Sequence, residues 1–241
     1  MAAVPQVRIS ATDRRDQILE VATRLFARQG YEGTTTRKIA IEARVNEALV
    51  FRHFPSKEEL YWAVIERKIQ QATTSHLMQG RLDAGGDELA MFSGIAFDIL
   101  DARARDDTLS RLLLFTALEN HKLSQRFFRR YAAEYYERLA DYIRRRMTEG
   151  AFRQMDPLLA ARAFLGMVGY HSWIQEVFGG KRYQDFDLKV VSRTLAAIWL
   201  QGMQEEDASP VLVAASKKNG HDVASHRKNG TRRKQNANDG R

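Results

Sequence analysis

Residues 34–57, TTTRKIAIEARVNEALVFRHFPSK, gather hydroxyl, amide and cationic side chains at spacings that chemistry can use. Thr35, Thr36, Arg37, Lys38, Asn46, Glu47, Arg52, His53 and Lys57 are polar or charged, while Ile39, Ala40, Ala43, Val45, Val50 and Phe54 interrupt them at helical intervals. A polyanion is the natural target of such a set. Arg, Lys, Thr and Asn hold phosphate oxygens, and the same groups read base edges in the major groove.

Each candidate also has a purely local reading. Thr35 supplies the hydroxyl that caps the helix that follows, and the same hydroxyl or that of its neighbour Thr36 could also reach a phosphate. Arg37 sits in a first helical turn, where a cation gains nothing from the helix dipole, so its placement favours an anionic partner. Asn46 caps the next helix and could reach a base edge as well. Glu47 gains ~0.3–1 kcal/mol from the dipole with or without a ligand, yet a carboxylate there can also accept from cytosine N4. Ala48 and Leu49 either touch a thymine methyl or simply permit close approach. Arg52 suits guanine or a phosphate, and His53 and Lys57 suit the backbone.

The elements that must position these groups are legible. Ile18, Val21, Ala22, Leu25 and Phe26 predict a helix over 13–29 that Gly30 stops. A short helix over 36–43 and another from Asn46 to before Pro55 are joined too briefly to lie side by side, so they must cross as a helix-turn-helix. Ser56 and Glu59 form a capping box that opens a fourth helix, expected to reach about Leu77, with 79–86 as a loop. Five more helices are expected: 87–105, 108–121, 124–149, 157–178 and 187–204. Asp106 or Asp107, Ser124 and Asp156 serve as caps, with Gly150 and Gly179-Gly180 as stops.

The stretch from Arg14 to Ile65, with TTRKIA, then ARVNEALVFRHF, then KEEL, resembles the DNA-binding domain of the tetracycline-repressor (TetR) family of bacterial regulators; it covers about a fifth of the chain. The resemblance implies an all-α protein. An N-terminal three-helix helix-turn-helix domain (12–56) would be joined by a long helix (57–78) to a C-terminal helical ligand-sensing and dimerisation domain (57–206). It further implies a homodimer built on the last two long helices, double-stranded DNA with a palindromic operator as partner, and release by a small-molecule effector. An activator, or an architectural or division-linked DNA-binding protein without an effector, is the alternative. Two positions depart from the family pattern. Arg44 stands where Gly is usual, and Phe51 replaces a frequent Tyr, leaving packing against the sugar-phosphate wall in place of a hydroxyl contact.

Beyond the corner, Phe92, Phe97, Phe115, Tyr131 and Tyr135 belong to an aromatic set on the middle helices that reads either as core or as the lining of an effector cavity. The helices 157–178 and 187–204 mix bulky and small residues. They read as internal core or, with the family in view, as a four-helix dimer seam through Phe164, Val168, Leu195, Ile198 and Trp199.

Composition bounds the rest. With 241 residues, 44% of them hydrophobic, and a net charge of +8, the chain can bury a sizeable core. Residues 207–241 carry +5 of that charge and almost no apolar side chains after Val213, which predicts a disordered basic tail able to add nonspecific attraction to phosphates. The absence of Cys excludes disulfides, thiolate metal sites and a Cys nucleophile. Neither a long apolar run nor an apolar leader is present, so a cytoplasmic protein with no membrane span is expected. Motifs for zinc hydrolysis, Ser nucleophiles and phosphate loops are missing, and Tyr170-His171-Ser172 point in different directions on one helix, so no enzyme and no cofactor are expected.

Overall fold

The computed structural model describes residues 11–72, 74–119 and 121–204, whose regular elements are all helices joined by short turns, with no strand among them. The basic segment 207–241 lies outside the described residues.

Helix α1 (Ala11–Gln29) buries Ile18, Leu19, Ala22, Leu25 and Phe26 along one side and ends at Gly30, whose positive φ of 73° suits a residue without a Cβ. Helices α2 (Thr36–Glu42) and α3 (Glu47–His53) form the crossed pair, and α4 (Lys57–Gln71) starts behind Ser56. That fourth helix is shorter than its stripe predicts. The backbone turns extended at Ala72, and α5 (Thr74–Ala84) occupies most of the span expected to be a loop. The reason is a change of packing partner. Leu60, Tyr61, Val64 and Ile65 face the core around α1, whereas Met78 and Leu82 face a second core around α6, which a single straight helix does not serve.

Gly85 and Gly86 make the turn into α6 (Glu88–Arg105), which Asp87 caps, and α7 (Thr108–Glu119) follows. The next helix, α8 (His121–Phe127), begins earlier than expected, so Ser124 lies inside it and not at its cap. It passes through a π-helical turn, Phe128–Ala132, into α9 (Ala133–Thr148). Helix α10 (Pro157–Ser172) is held at its start by Asp156, which accepts from the Leu158 and Leu159 N–H groups at 2.9 and 3.0 Å. A second π-helical turn, Trp173–Val177, ends it, and α11 (Leu188–Met203) closes the described chain.

Two apolar clusters result. One joins α1–α4 and draws in Leu112 of α7 and Leu123 of α8; the other joins α5, α6, α9, α10 and α11 around Phe92, Phe164 and Trp199. Phe92 lies with its ring 4.6 Å from Trp199 and 5.1 Å from Phe164, and the Trp199 indole donates to the Ala160 carbonyl oxygen at 3.0 Å. At a few kcal/mol per buried aromatic, truncating any of the three would cost more than any surface contact described below.

Candidate nucleic-acid interface

The α2–α3 corner is built from local hydrogen bonds. Thr35 accepts from the Lys38 N–H at 3.1 Å and Asn46 from the Leu49 N–H at 2.7 Å, each cap contributing about 1 kcal/mol. Between the helices the chain reverses in a Schellman turn: the Val45 N–H donates to the Ala40 carbonyl oxygen and the Arg44 N–H to that of Ile41. The turn requires a left-handed residue, and Arg44 adopts it at φ 52°. Among the described residues it is the one non-glycine there, at a cost of ~1–2 kcal/mol relative to Gly. A left-handed turn of the kind that favours Gly is therefore made with Arg at position 44, and Gln17 secures it by donating to the Ala43 carbonyl oxygen at 3.0 Å.

On this frame Ile39, Ala40, Ala43, Val50 and Phe54 face inward and are buried. Thr35, Arg37, Asn46, Ala48, Phe51 and Arg52 are exposed, with Leu49, His53 and Lys57 partly so. Among the described residues neither Arg37 nor Arg52 has a carboxylate within ion-pair distance, whereas Arg24, on α1, is bound to Glu42 at 2.9 Å. Thr36 and Glu47 are brought together: the Thr36 hydroxyl donates to Glu47 Oε1 at 2.6 Å. That bond commits the Thr36 proton and orients the carboxylate, so of the two adjacent hydroxyls only Thr35 keeps a proton to give. The Lys57 ammonium lies 4.2 Å from the Tyr31 ring centre, and His53 Nε2 is buried without a partner.

The corner is tied to the rest of the molecule by contacts that no local pattern signals. Glu119 on α7 accepts from the Tyr31 and Glu32 N–H groups at 2.7 and 3.1 Å, and Arg111 donates to the Ala27 carbonyl oxygen at 3.0 Å. The Tyr61 hydroxyl reaches the Leu112 carbonyl oxygen at 2.8 Å, with the Thr116 hydroxyl 2.7 Å away; burial pushes this phenol up to about 12 and keeps it neutral. Arg126 on α8 pairs with Glu59 at 3.0 Å and stacks over Trp62 at 4.1 Å.

The five aromatic residues considered for an effector cavity do not converge on one space. Phe92 is wholly buried in the second core; Tyr131 stacks on Trp62 beside the first; Phe97 and Phe115 are partly buried on α6 and α7. Tyr135 is held by the second core, and burial pushes its hydroxyl up to about 12. Of the dimer residues, Phe164, Val168 and Trp199 are consumed by the protomer's own core, Leu195 is half-buried and Ile198 is exposed. The exposed apolar surface of this region is instead Leu159, Tyr170, Trp173, Val190 and Ile198. Helical periodicity marks an apolar residue without saying which of two partners will cover it.

Sequence reasoning missed a set of buried polar atoms without partners: Arg103 Nη1 on α6, and His171 Nε2, Ser172 Oγ and Gln175 Oε1 at the end of α10. Each such group costs ~1–3 kcal/mol, and a lone Arg in a helical stripe carries no mark of it.

Comparison with known proteins places this arrangement in a class. Residues 18–64 match the family model of bacterial regulatory proteins of the tetR family, and residues 99–200 match the C-terminal domain of AefR-like transcriptional repressors. The chain belongs to the tetR family and is a DNA-binding transcriptional regulator, a family of regulatory proteins and not of enzymes. It is similar to the nucleoid occlusion factor SlmA of Vibrio atlanticus, 30% identical over 73% of this chain and 91% of that protein. It is also similar to the HTH-type transcriptional regulator AcrR of Shigella flexneri, 28% identical over 79% of this chain and 89% of that one. The fold is shared with the regulator FadR of Bacillus subtilis, solved in complex with stearoyl-CoA, at a TM-score of 0.64 and 19% identity over 78% of this chain and 99% of that chain. No helix among the described residues is long and apolar enough to cross a membrane.

Proposed function

We propose that the chain is a homodimeric repressor that grips a palindromic operator through paired α3 helices and leaves it when a small molecule binds the C-terminal helices. The observation that carries this reading is the outer face of the corner, where Arg37 and Arg52 stand exposed and, among the described residues, without a carboxylate partner, beside Ala48 and Phe51 on two helices whose N-termini are capped from within the corner.

In this reading Thr35, Arg37, His53 and Lys57 hold phosphates, and Thr36 acts by aiming Glu47. Asn46, Glu47 and Arg52 reach base edges, Ala48 and Leu49 permit close approach, and Phe51 packs on the sugar-phosphate wall. Exposed Leu159, Tyr170, Trp173, Val190 and Ile198 supply the apolar face that a second copy covers, with half-buried Leu195 at its edge. Two-fold symmetry then sets two α3 helices on successive major grooves. Effector binding acts through α7 and α8, since Arg111 ties α7 to α1, Glu119 ties it to the turn after α1, and the Tyr61–Thr116 and Arg126–Glu59 pairs tie α7 and α8 to α4. The domains of this reading are the corner (12–56), the C-terminal helices from α4 onward (57–206) and the basic tail (207–241), all working where the chromosome is, in the cytoplasm.

The likeness to a nucleoid occlusion factor favours a second reading, a division-linked DNA-binding protein without a small-molecule effector. Selection of binding sites from randomised duplexes, followed by mapping of occupied sites across the genome of origin, tests both. An inverted-repeat motif at a few promoters supports the repressor; many scattered sites support the second reading. Failure to bind any duplex at low ionic strength overturns both.

A further inference from the structure

Seven buried side-chain nitrogen or oxygen atoms among the described residues have no hydrogen-bond partner; three of them, on His171, Ser172 and Gln175, border one cavity beside α6, and a fourth, Arg103 Nη1, lies further along the same α6–α10 contact, outside that cavity's lining. His171, Ser172 and Gln175 line one cavity with Leu100 of α6, together with Glu176, Lys181 and Asp185. Arg103 lies one turn beyond Leu100, and its Nη1 is 3.5 Å from where a Cβ on Gly169, one turn before Ser172, would stand. Buried polar atoms are nearly always satisfied, by protein, water or ligand, so a cluster of orphans asks for an occupant.

The charges say what kind. The carboxylates nearest to Arg103 in sequence are already engaged: Asp101 with Arg105, Asp106 with Lys68 at 2.5 Å, Asp107 with Arg111 at 3.7 Å and Asp98 with Arg81 at 2.6 Å; Glu176, in the cavity lining, is held by Lys181. The electrostatic neighbours that act on Arg103 are the phenols Tyr135 and Tyr136, and burial pushes Tyr135 up to about 12, which leaves it uncharged at neutral pH. A guanidinium does not give up its proton in proteins, so Nη1 of this partly buried side chain is withdrawn from water with no counter-charge among the described residues. At the opposite end of the seam stand two acceptors, Gln175 Oε1, buried without a partner, and the exposed Asp185 carboxylate, which also acts on Lys181. Six residues of helix separate Gly169 from Gln175, or about 9 Å at the α-helical rise. Gln175 itself sits in the π-helical turn Trp173–Val177, a widened geometry common at functional sites.

We propose that the α6–α10 seam is a binding site for an organic hydroxycarboxylate, its carboxylate paired with Arg103 and its hydroxyl, some 9 Å away, donating to Gln175 and Asp185. His171 and Ser172 hydrogen-bond the ligand between these ends. The cavity as it stands holds about 20 Å³, roughly one water, so the ligand enters only by parting α10 from α6. Because exposed Tyr170 and Trp173 flank the seam on the face assigned to the second copy, that movement changes how the two copies meet. This assignment rests on the effector-released repressor reading and names the chemistry of its effector.

The test uses the full chain without DNA, with 4-hydroxycinnamate, 3-(4-hydroxyphenyl)propanoate and 8-hydroxyoctanoate as probes. Their methyl esters, their deoxy analogues and inorganic phosphate serve as controls. Thermal shift and calorimetry should show stabilisation by at least one acid, weaker for its deoxy analogue and absent for its ester. Arg103→Met should melt at or above the wild-type temperature, having lost an unpaired charge, and bind the acid at least tenfold more weakly; Gln175→Leu should lose the difference between acid and deoxy analogue. No response to any acid, an equal response to phosphate, or a full response in both variants overturns the site. Release of operator DNA, followed by anisotropy on the same samples, is a separate readout. Binding without release leaves the site standing and overturns its role as trigger.

Discussion

The α2–α3 corner and the α6–α10 seam treat their polar groups in opposite ways. In the corner Thr35 and Asn46 cap their own helices and Thr36 holds Glu47, and the cations that stay unpaired, Arg37 and Arg52, stand in water where a missing partner costs little. In the seam the unpaired groups are withdrawn from water, where a missing partner costs most. Affinity for an external partner can thus be stored in two forms. An exposed charge meets a large polyanion on a rigid surface, while a buried orphan waits for a small ligand and makes the unliganded packing less favourable than it would otherwise be.

Replacing Arg52 should produce the largest change. Arg52→Ala is expected to weaken operator binding about 5- to 150-fold, the equivalent of ~1–3 kcal/mol, with an unchanged melting temperature; a titration by anisotropy and a melt decide it. If stability falls as well, the corner's outer face is not free of structural duty and the contrast with the seam weakens. Arg44→Gly follows, because it relieves a left-handed residue and should stabilise the fold by ~1 kcal/mol in chemical denaturation while leaving the DNA motif alone.

A matched pair of hydroxyl deletions addresses the contrast most directly. Thr35→Ala should cost about 1 kcal/mol because its oxygen accepts a helix N–H, whereas Ser172→Ala should be neutral or slightly stabilising because its oxygen has no partner. Equal losses for the two would erase the distinction. Glu47→Gln should have the smallest effect on total affinity and show itself in base preference, so site selection from randomised duplexes yielding the wild-type motif would argue against direct readout by that carboxylate.

How legible each region was follows from the range of its interactions. The corner's caps, its turn and its inward residues lie within a few positions of one another, and even the left-handed turn at position 44 showed itself as a Gly replaced by Arg. The Thr36–Glu47 bond spans 11 residues and reassigns a proton that spacing alone left available to a phosphate. Further out, the aromatic set on the middle helices divided between two cores, and Phe164, Val168 and Trp199 turned inward where a dimer seam was expected. The break at Ala72 likewise follows from which core each helix packs on, with no Pro or Gly there to interrupt the local pattern.

Short-range rules written into the chain were therefore enough to specify an all-helical molecule, its crossed pair and the cationic character of that pair's outer face, since capping, turn chemistry and helical periodicity act over one or two turns. Deciding which apolar stripes meet each other, which acid claims which arginine, and that Arg103 is left without one, took the folded arrangement. Those outcomes depend on competition among partners far apart along the chain, and only packing in three dimensions chooses between them.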